Sequence, residues 1–143
     1  MERTLSIIKP DALAAGHLGS ILATLEASGL KIVAGRMVHL SPESAAAFYA
    51  VHAGKPFFER LVAFMSSGPC FANVLEGEDA VVRNRTLMGA TNPEEAAEGT
   101  LRKRFAESMS RNAVHGSDSV DNAKLEIAHF FKDEDIVSYE RAR

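Results

Sequence analysis

The order of elements along the chain predicts an α+β domain of ferredoxin-like type. Two observations carry this expectation. Short apolar runs alternate with helical patterns in the order strand, helix, strand, helices, strand, helix, strand, helix. The 143 residues suffice for one domain with a real core and are too few for two ordinary ones, so 1–143 is read as a single domain. Hydrophobic residues make up 46%, which removes disorder as the default expectation.

Each element has its own signal. Thr4 to Ile8 is an apolar run ending at Lys9-Pro10, and reads as a buried strand. Leu18, Ile21, Leu22 and Leu25 recur at helical spacing, and Gly29 can close that helix. Lys31 to Leu40 is the second strand. Ser41-Pro42-Glu43 opens a helix with a capping serine, proline at the first helical position and an acid in the first turn; the pattern ends near Val51. Phe58, Leu61, Val62 and Met65 mark one face of a helix over 57–65, which Gly68-Pro69 ends. Cys70 to Leu75 is the third strand and Asp79 to Leu87 the next helix. A stretch marked by Gly and Pro follows from Gly89 to about Gly99. Ala113-Val114 is the stub of a fourth strand, and Ser119 opens a last helix through Phe131.

Charge and cysteine usage narrow the function classes. The formal net charge of −3 argues against a surface coated in basic residues for nucleic acid, so no obligatory nucleic-acid partner is expected. Cys70 is the only cysteine, which excludes an intramolecular disulfide and points to the cytoplasm. Residues 1–30 lack a basic segment followed by an uninterrupted apolar one. No run approaches the length of a membrane span, and neither a signal peptide nor a membrane partner is expected.

The most informative segment is Asn112-Ala113-Val114-His115-Gly116-Ser117-Asp118-Ser119. One histidine follows a short apolar step and precedes a glycine, which turns without a Cβ in the way, and three small polar residues suited to capping a helix. The imidazole therefore stands at the junction of an element and a turn, as a nucleophilic or acid–base histidine must. Taken alone, the octet reads more often as a surface-loop histidine, since a short motif without its context is only a hypothesis. No G-x-x-x-x-G-K-[ST] and no G-x-G-x-x-G occurs, so phosphates would have to be held by scattered side chains. Candidates are Lys9, His52, Arg85, Thr91 and Arg102. A solvated surface charge is the ordinary reading of such cations. Lys9 is the best exception, because it ends an apolar strand and precedes a proline.

The octet, with Ile8-Lys9-Pro10-Asp11 near the start and Gly89-Ala90-Thr91-Asn92-Pro93 between, resembles the nucleoside diphosphate kinases. The resemblance runs from about Glu2 to about Tyr139, with the blocks in the family's order and spacing. It implies a four-stranded antiparallel sheet covered by helices. It also implies transfer of the γ-phosphate from a nucleoside triphosphate to a nucleoside diphosphate, ribo or deoxy, by a ping-pong route. In the family the residue matching His115 attacks through Nδ1 and becomes a phosphohistidine. Imidazole suits this, being neutral and nucleophilic near pH 7.

By position, Lys9 resembles the lysine that bonds the ribose hydroxyl and the migrating phosphate, and Asn112 the asparagine that holds the ribose 3′-hydroxyl. Arg85, Thr91, Arg102 and His52 resemble phosphate ligands. Phe57 resembles the aromatic on which the base stacks, and Leu61 and Met109 match apolar positions near it. Tyr49 resembles a tyrosine beside the transferred phosphate, while Ser117 and Glu126 resemble the groups that orient the imidazole. From the residues alone, Tyr49 and Phe57 also read as core aromatics, Glu126 as an exposed helical acid and Asp118 as a helix cap. His17, His39 and His129 match no functional position and read as surface or packing residues.

Mg2+ is implied by the nucleotide rather than by a protein cage, and the resemblance implies that Asp118 touches it through water. Activity is expected to fall as pH drops through about 6.5, with Glu126 raising that midpoint. A second reading is a catalytically silent nucleotide-binding or interaction protein of the same fold. Such a relative would be expected to lose the histidine, the lysine or an arginine, and all are present. The resemblance further implies a homo-oligomer built from dimers; the short segment after the last helix leans toward a bacterial type and a tetramer.

Overall fold

The computed structural model describes residues 1–142. Its centre is a four-stranded antiparallel sheet of β1 (Glu2–Ile8), β2 (Lys31–Val38), β3 (Cys70–Gly77) and β4 (Val114–Gly116), in the order β2-β3-β1-β4. The ferredoxin-like α+β expectation holds. Helices α1 (Pro10–Ala14), α2 (Leu18–Ala27), α3 (Pro42–Phe48), α4 (Phe58–Met65), α5 (Ala80–Met88), α6 (Leu101–Phe105) and α7 (Val120–Phe130) cover both faces.

Alternation along the strands makes two cores. On one face Leu5, Ile7, Cys70, Ala72 and Val74 pack with Ala45 of α3, Met65 of α4, and Ala123, Ile127 and Phe130 of α7. On the other, Ile8 and Leu75 pack with Ala12, Ile21, Leu25, Met88 and Leu101. Leu5, Ile7, Ile8, Ile21 and Leu25 are fully buried; each such side chain stabilises by about 1.5–3 kcal/mol relative to leaving it in water.

The capping signals hold. The Ser41 hydroxyl accepts from the Ser44 N–H, the Ser119 hydroxyl from the Asn122 N–H, and Gly29 leaves α2 with φ +94°. Other limits shift. The helix after Ser41 stops at Phe48, and a tight 3₁₀ turn, Ala50–His52, replaces its end. Helices α1 and α6 were not marked by the sequence pattern: five residues make little more than one turn, too short for a periodicity to register. The fourth strand begins at Val114, not Ala113. No helix among the described residues is long and apolar enough to cross a membrane.

Candidate active site

Register brings the site together. Within the sheet Ile7 lies opposite His115 and Ile8 opposite Val114, so His115 shares the face of Ile7 and looks toward α3 and α7. Lys9 leaves β1 at the same end. Its backbone N–H donates to the Ala113 carbonyl at 2.8 Å, and its Nζ donates to Asn112 Oδ1 at 2.8 Å. Asn112 Nδ2 in turn donates to the Met109 carbonyl at 3.0 Å.

Ala113 is not strand. It is fully buried with φ +72°, in the left-handed region that an alanine seldom occupies. The Val114 N–H donates to the Asn112 carbonyl at 2.8 Å across it, closing a three-residue γ-turn. Backbone strain of this kind costs about 1–3 kcal/mol. The Ala113 N–H donates to Asp11 Oδ2 at 3.1 Å. A hydrogen bond to a charged group contributes about 1.5–3 kcal/mol, enough to offset that strain.

The His115 ring is held on three sides. Nε2 lies 2.8 Å from Glu126 Oε1, which also accepts from the Ser117 hydroxyl at 2.8 Å. Ser117 Oγ itself accepts from the Leu5 N–H of β1. An ionised carboxylate only accepts, so Nε2 carries the ring proton and Nδ1 keeps its lone pair. Phe48 packs edge-on at 5.4 Å and Tyr49 edge-on at 6.2 Å. Burial pulls the His115 pKa below the ordinary 6.5. The hydrogen bond and charge of Glu126 oppose the shift, while the charges of Lys9 and Arg102 assist it. The expected upward shift by Glu126 is thus corrected: desolvation outweighs the carboxylate.

The candidate phosphate ligands fall in different settings. Lys9 and Arg102 are buried; burial and the Arg102 charge bring Lys9 down to about 8, and burial and Arg85 bring Arg102 to about 10. Arg102 Nη1 donates to the Gly89 carbonyl at 3.1 Å and Nη2 to the Val114 carbonyl at 2.9 Å. It is therefore a strut between the Gly89 loop and β4 as well as a cation, and its buried Nε has no partner among the described residues. Arg85 lies exposed in the last turn of α5, with Thr91 exposed on the following loop. His52 packs between Tyr49 and Phe57, its buried Nδ1 without a partner among the described residues. The Tyr49 hydroxyl is buried and has no partner among the described residues, and burial raises its pKa far enough to keep it a donor.

Phe57 is 39% exposed and Met109 58%, so neither is a core residue. Leu61 is partly buried against the core. Asp118 is exposed; the Asn122 amide and the Arg85 charge hold its carboxyl below the usual range. His129 packs edge-on against Phe48 and bonds Ser44, as a packing residue should. Phe48 and Asp11 carried no assignment from the sequence. Asp11 closes the Ile8-Lys9-Pro10-Asp11 block, but nothing in its spacing distinguishes it.

A family model described as nucleoside diphosphate kinase matches residues 2–136. The chain belongs to the nucleoside diphosphate kinase family. A nucleoside diphosphate kinase of Halorhodospira halophila is 62% identical over 138 residues, covering 96% of this chain and 98% of the relative. The solved nucleoside diphosphate kinase of Aquifex aeolicus superposes with a TM-score of 0.94 at 47% identity, over 95% of this chain and 99% of that one. That of Halobacterium salinarum, solved in complex with CDP, gives a TM-score of 0.94 at 44% identity, over 98% and 93%. Nucleoside diphosphate kinases are phosphotransferases that need a divalent cation.

Among the described residues no group of three His, Cys, Asp or Glu side chains could hold a metal alone. A single ionised carboxylate at the rim, Asp118, fits a cation that arrives on nucleotide phosphates and keeps most of its water.

Proposed function

We propose that this single domain transfers the γ-phosphate from a nucleoside triphosphate to a nucleoside diphosphate through His115. The observation that carries the reading is the Leu5–Ser117–Glu126–His115 chain of hydrogen bonds, which fixes the ring and leaves Nδ1 as the attacking nitrogen. Nδ1 attacks the γ-phosphorus, the bond to the bridging oxygen breaks, and the diphosphate leaves with that electron pair. The positive charge gained by the ring faces the Glu126 carboxylate. A second diphosphate then attacks the phosphohistidine, and the P–N bond returns its pair to the imidazole. Lys9, Arg102, Arg85, Thr91 and His52 would bind the phosphates, with Tyr49 donating beside the transferred group. Asn112 would hold the ribose. Mg2+ would neutralise charge on the phosphates, with Asp118 reaching it through water. Mixing the protein with γ-labelled ATP tests the reading: the label should be taken up in a form stable to base and lost in acid. Absence of such label would sink it.

The rate should follow a bell in pH. Neutral imidazole attacks, and the His115 pKa is lowered, so activity should persist at pH 6.5 and fall only below it. On the alkaline side kcat/KM should fall above about 8 as free-enzyme Lys9 loses its proton. Bound phosphates favour the charged lysine, so kcat should hold to higher pH. An acid limb centred above 6.5 would contradict the assignment.

The base should matter little. Phe57 offers a face, Leu61 and Met109 are apolar, and stacking of about 1–3 kcal/mol accepts any base. Phe57→Ala should weaken all nucleotides by a similar factor. Comparing kcat/KM for ATP, GTP, CTP and UTP checks this; a spread beyond about a hundredfold would require polar readout of one base edge.

The proposed assembly is a homo-oligomer of dimers, a tetramer in the bacterial manner, supported by the family likeness and by β2 lying at a sheet edge. Sedimentation mass decides it. A cytoplasmic setting is supported by the lone buried Cys70 thiol, pushed up to about 11 by burial.

A further inference from the structure

Asp11 is 5% exposed, yet among the described residues only one of its carboxylate oxygens has a partner. That partner is the N–H of Ala113, the residue held at φ +72°. The Ala113 carbonyl is taken by the Lys9 N–H, and the side chain of the preceding Asn112 by Lys9 Nζ. The short segment Lys9-Pro10-Asp11 therefore grips both polar groups of the strained residue and its neighbour. Val114 and His115 follow directly, so the turn fixes where β4 starts and where the imidazole stands.

We propose that Asp11 is a positioning residue for phosphotransfer, its carboxylate holding the Asn112–Val114 γ-turn and thereby setting His115 and Asn112 against Lys9. The inference rests on His115 being the nucleophile. Without the carboxylate, Ala113 is free to relax to negative φ. The Asn112 amide then leaves Lys9, and the ring leaves its place against Glu126. The Asp11 charge also favours the ammonium form of Lys9, against burial and Arg102. No oxygen of Asp11 touches the nucleotide in this scheme; it acts through the turn.

The test is single-turnover phosphorylation of the full chain by γ-labelled ATP, with ADP affinity and circular dichroism measured beside it. In Asp11→Ala the phosphorylation rate constant should fall by about ten- to a hundredfold, the scale of a misplaced reacting group, with a clearly smaller loss of ADP affinity through the displaced Asn112. Asp11→Asn, whose amide oxygen can accept the same N–H, should lose less. Adding Ala113→Gly to Asp11→Ala should restore much of the rate, because glycine takes positive φ without a Cβ penalty. If Asp11→Ala does not fold, the asparagine and double variants carry the comparison. A folded Asp11→Ala that phosphorylates at the parent's rate would overturn the proposal. So would a loss confined to ADP affinity, or a double variant no faster than the single one. A parent that takes up no acid-labile label would defeat the phosphohistidine reading itself, a different failure from a labelled parent matched by its Asp11 variant.

Discussion

His115→Ala should abolish steady-state phosphotransfer, by at least about a thousandfold, while nucleotide still binds. The size follows from the route. Removing the atom that forms the bond to phosphorus leaves no slower version of the same path, only direct attack between two nucleotides or hydrolysis by water. Binding should survive, because the cations and Phe57 stand on other elements: Lys9 at the end of β1, Arg85 on α5, Arg102 on α6 and Phe57 at the start of α4. The truncation also removes a ring packed against Phe48 and bonded to Glu126. Stability must therefore be measured beside activity. Near-normal turnover in a folded His115→Ala protein would end the assignment.

Gly89→Ala should be the most damaging of the single-methyl additions near the site. Gly89 ends α5 with φ +82° and ψ −178°, a combination open essentially to glycine alone. A Cβ built there would meet Thr100 Cβ at 2.7 Å, and Thr100 cannot retreat easily, because its hydroxyl caps α6 and bonds the Ala97 carbonyl. Backbone strain of about 1–3 kcal/mol adds to overpacking of about 1–3 kcal/mol. The midpoint of denaturant unfolding should drop accordingly. The Gly89 carbonyl also accepts from Arg102, so surviving folded protein should bind triphosphate more weakly. An unfolding midpoint equal to the parent's would mean that the loop rearranges at little cost.

The sequence made the long elements readable because each has a period and a punctuation mark. Ser41 and Ser119 announce their helices by hydrogen-bonding chemistry that local sequence fully contains. The candidate nucleophile and lysine stand out for a different reason: His115 and Lys9 lie in blocks whose family likeness is specific, whereas Arg85 and Arg102 lie outside those blocks. What escaped depends on three-dimensional packing. Ala113 reads as strand because nothing in Asn-Ala-Val reveals a buried carboxylate from residue 11 waiting on its N–H. The direction of the His115 shift escaped as well. Glu126 is visible in sequence and desolvation is not; the sign comes from Phe48, Tyr49 and the cations that the fold places around the ring. Phe48 itself looks like any apolar helical residue until α3 is docked on the sheet.

The pairing of β1 with β4 joins the first and last strands in chain order, since Ser6 meets Gly116 and Ile7 meets His115. Contacts this far apart in sequence carry a large loop-closure cost, and chains dominated by them fold slowly. The pocket therefore has no local precursor: a nascent chain cannot assemble it before α7 has been synthesised and packed. Nucleotide should accordingly recognise only the completed fold. Its binding then stabilises the whole cooperative unit by mass action, adding about 2.7 kcal/mol at a hundred times the dissociation constant. In a cell with ample nucleotide, the substrate would act on the newly made chain as a ratchet toward the native state.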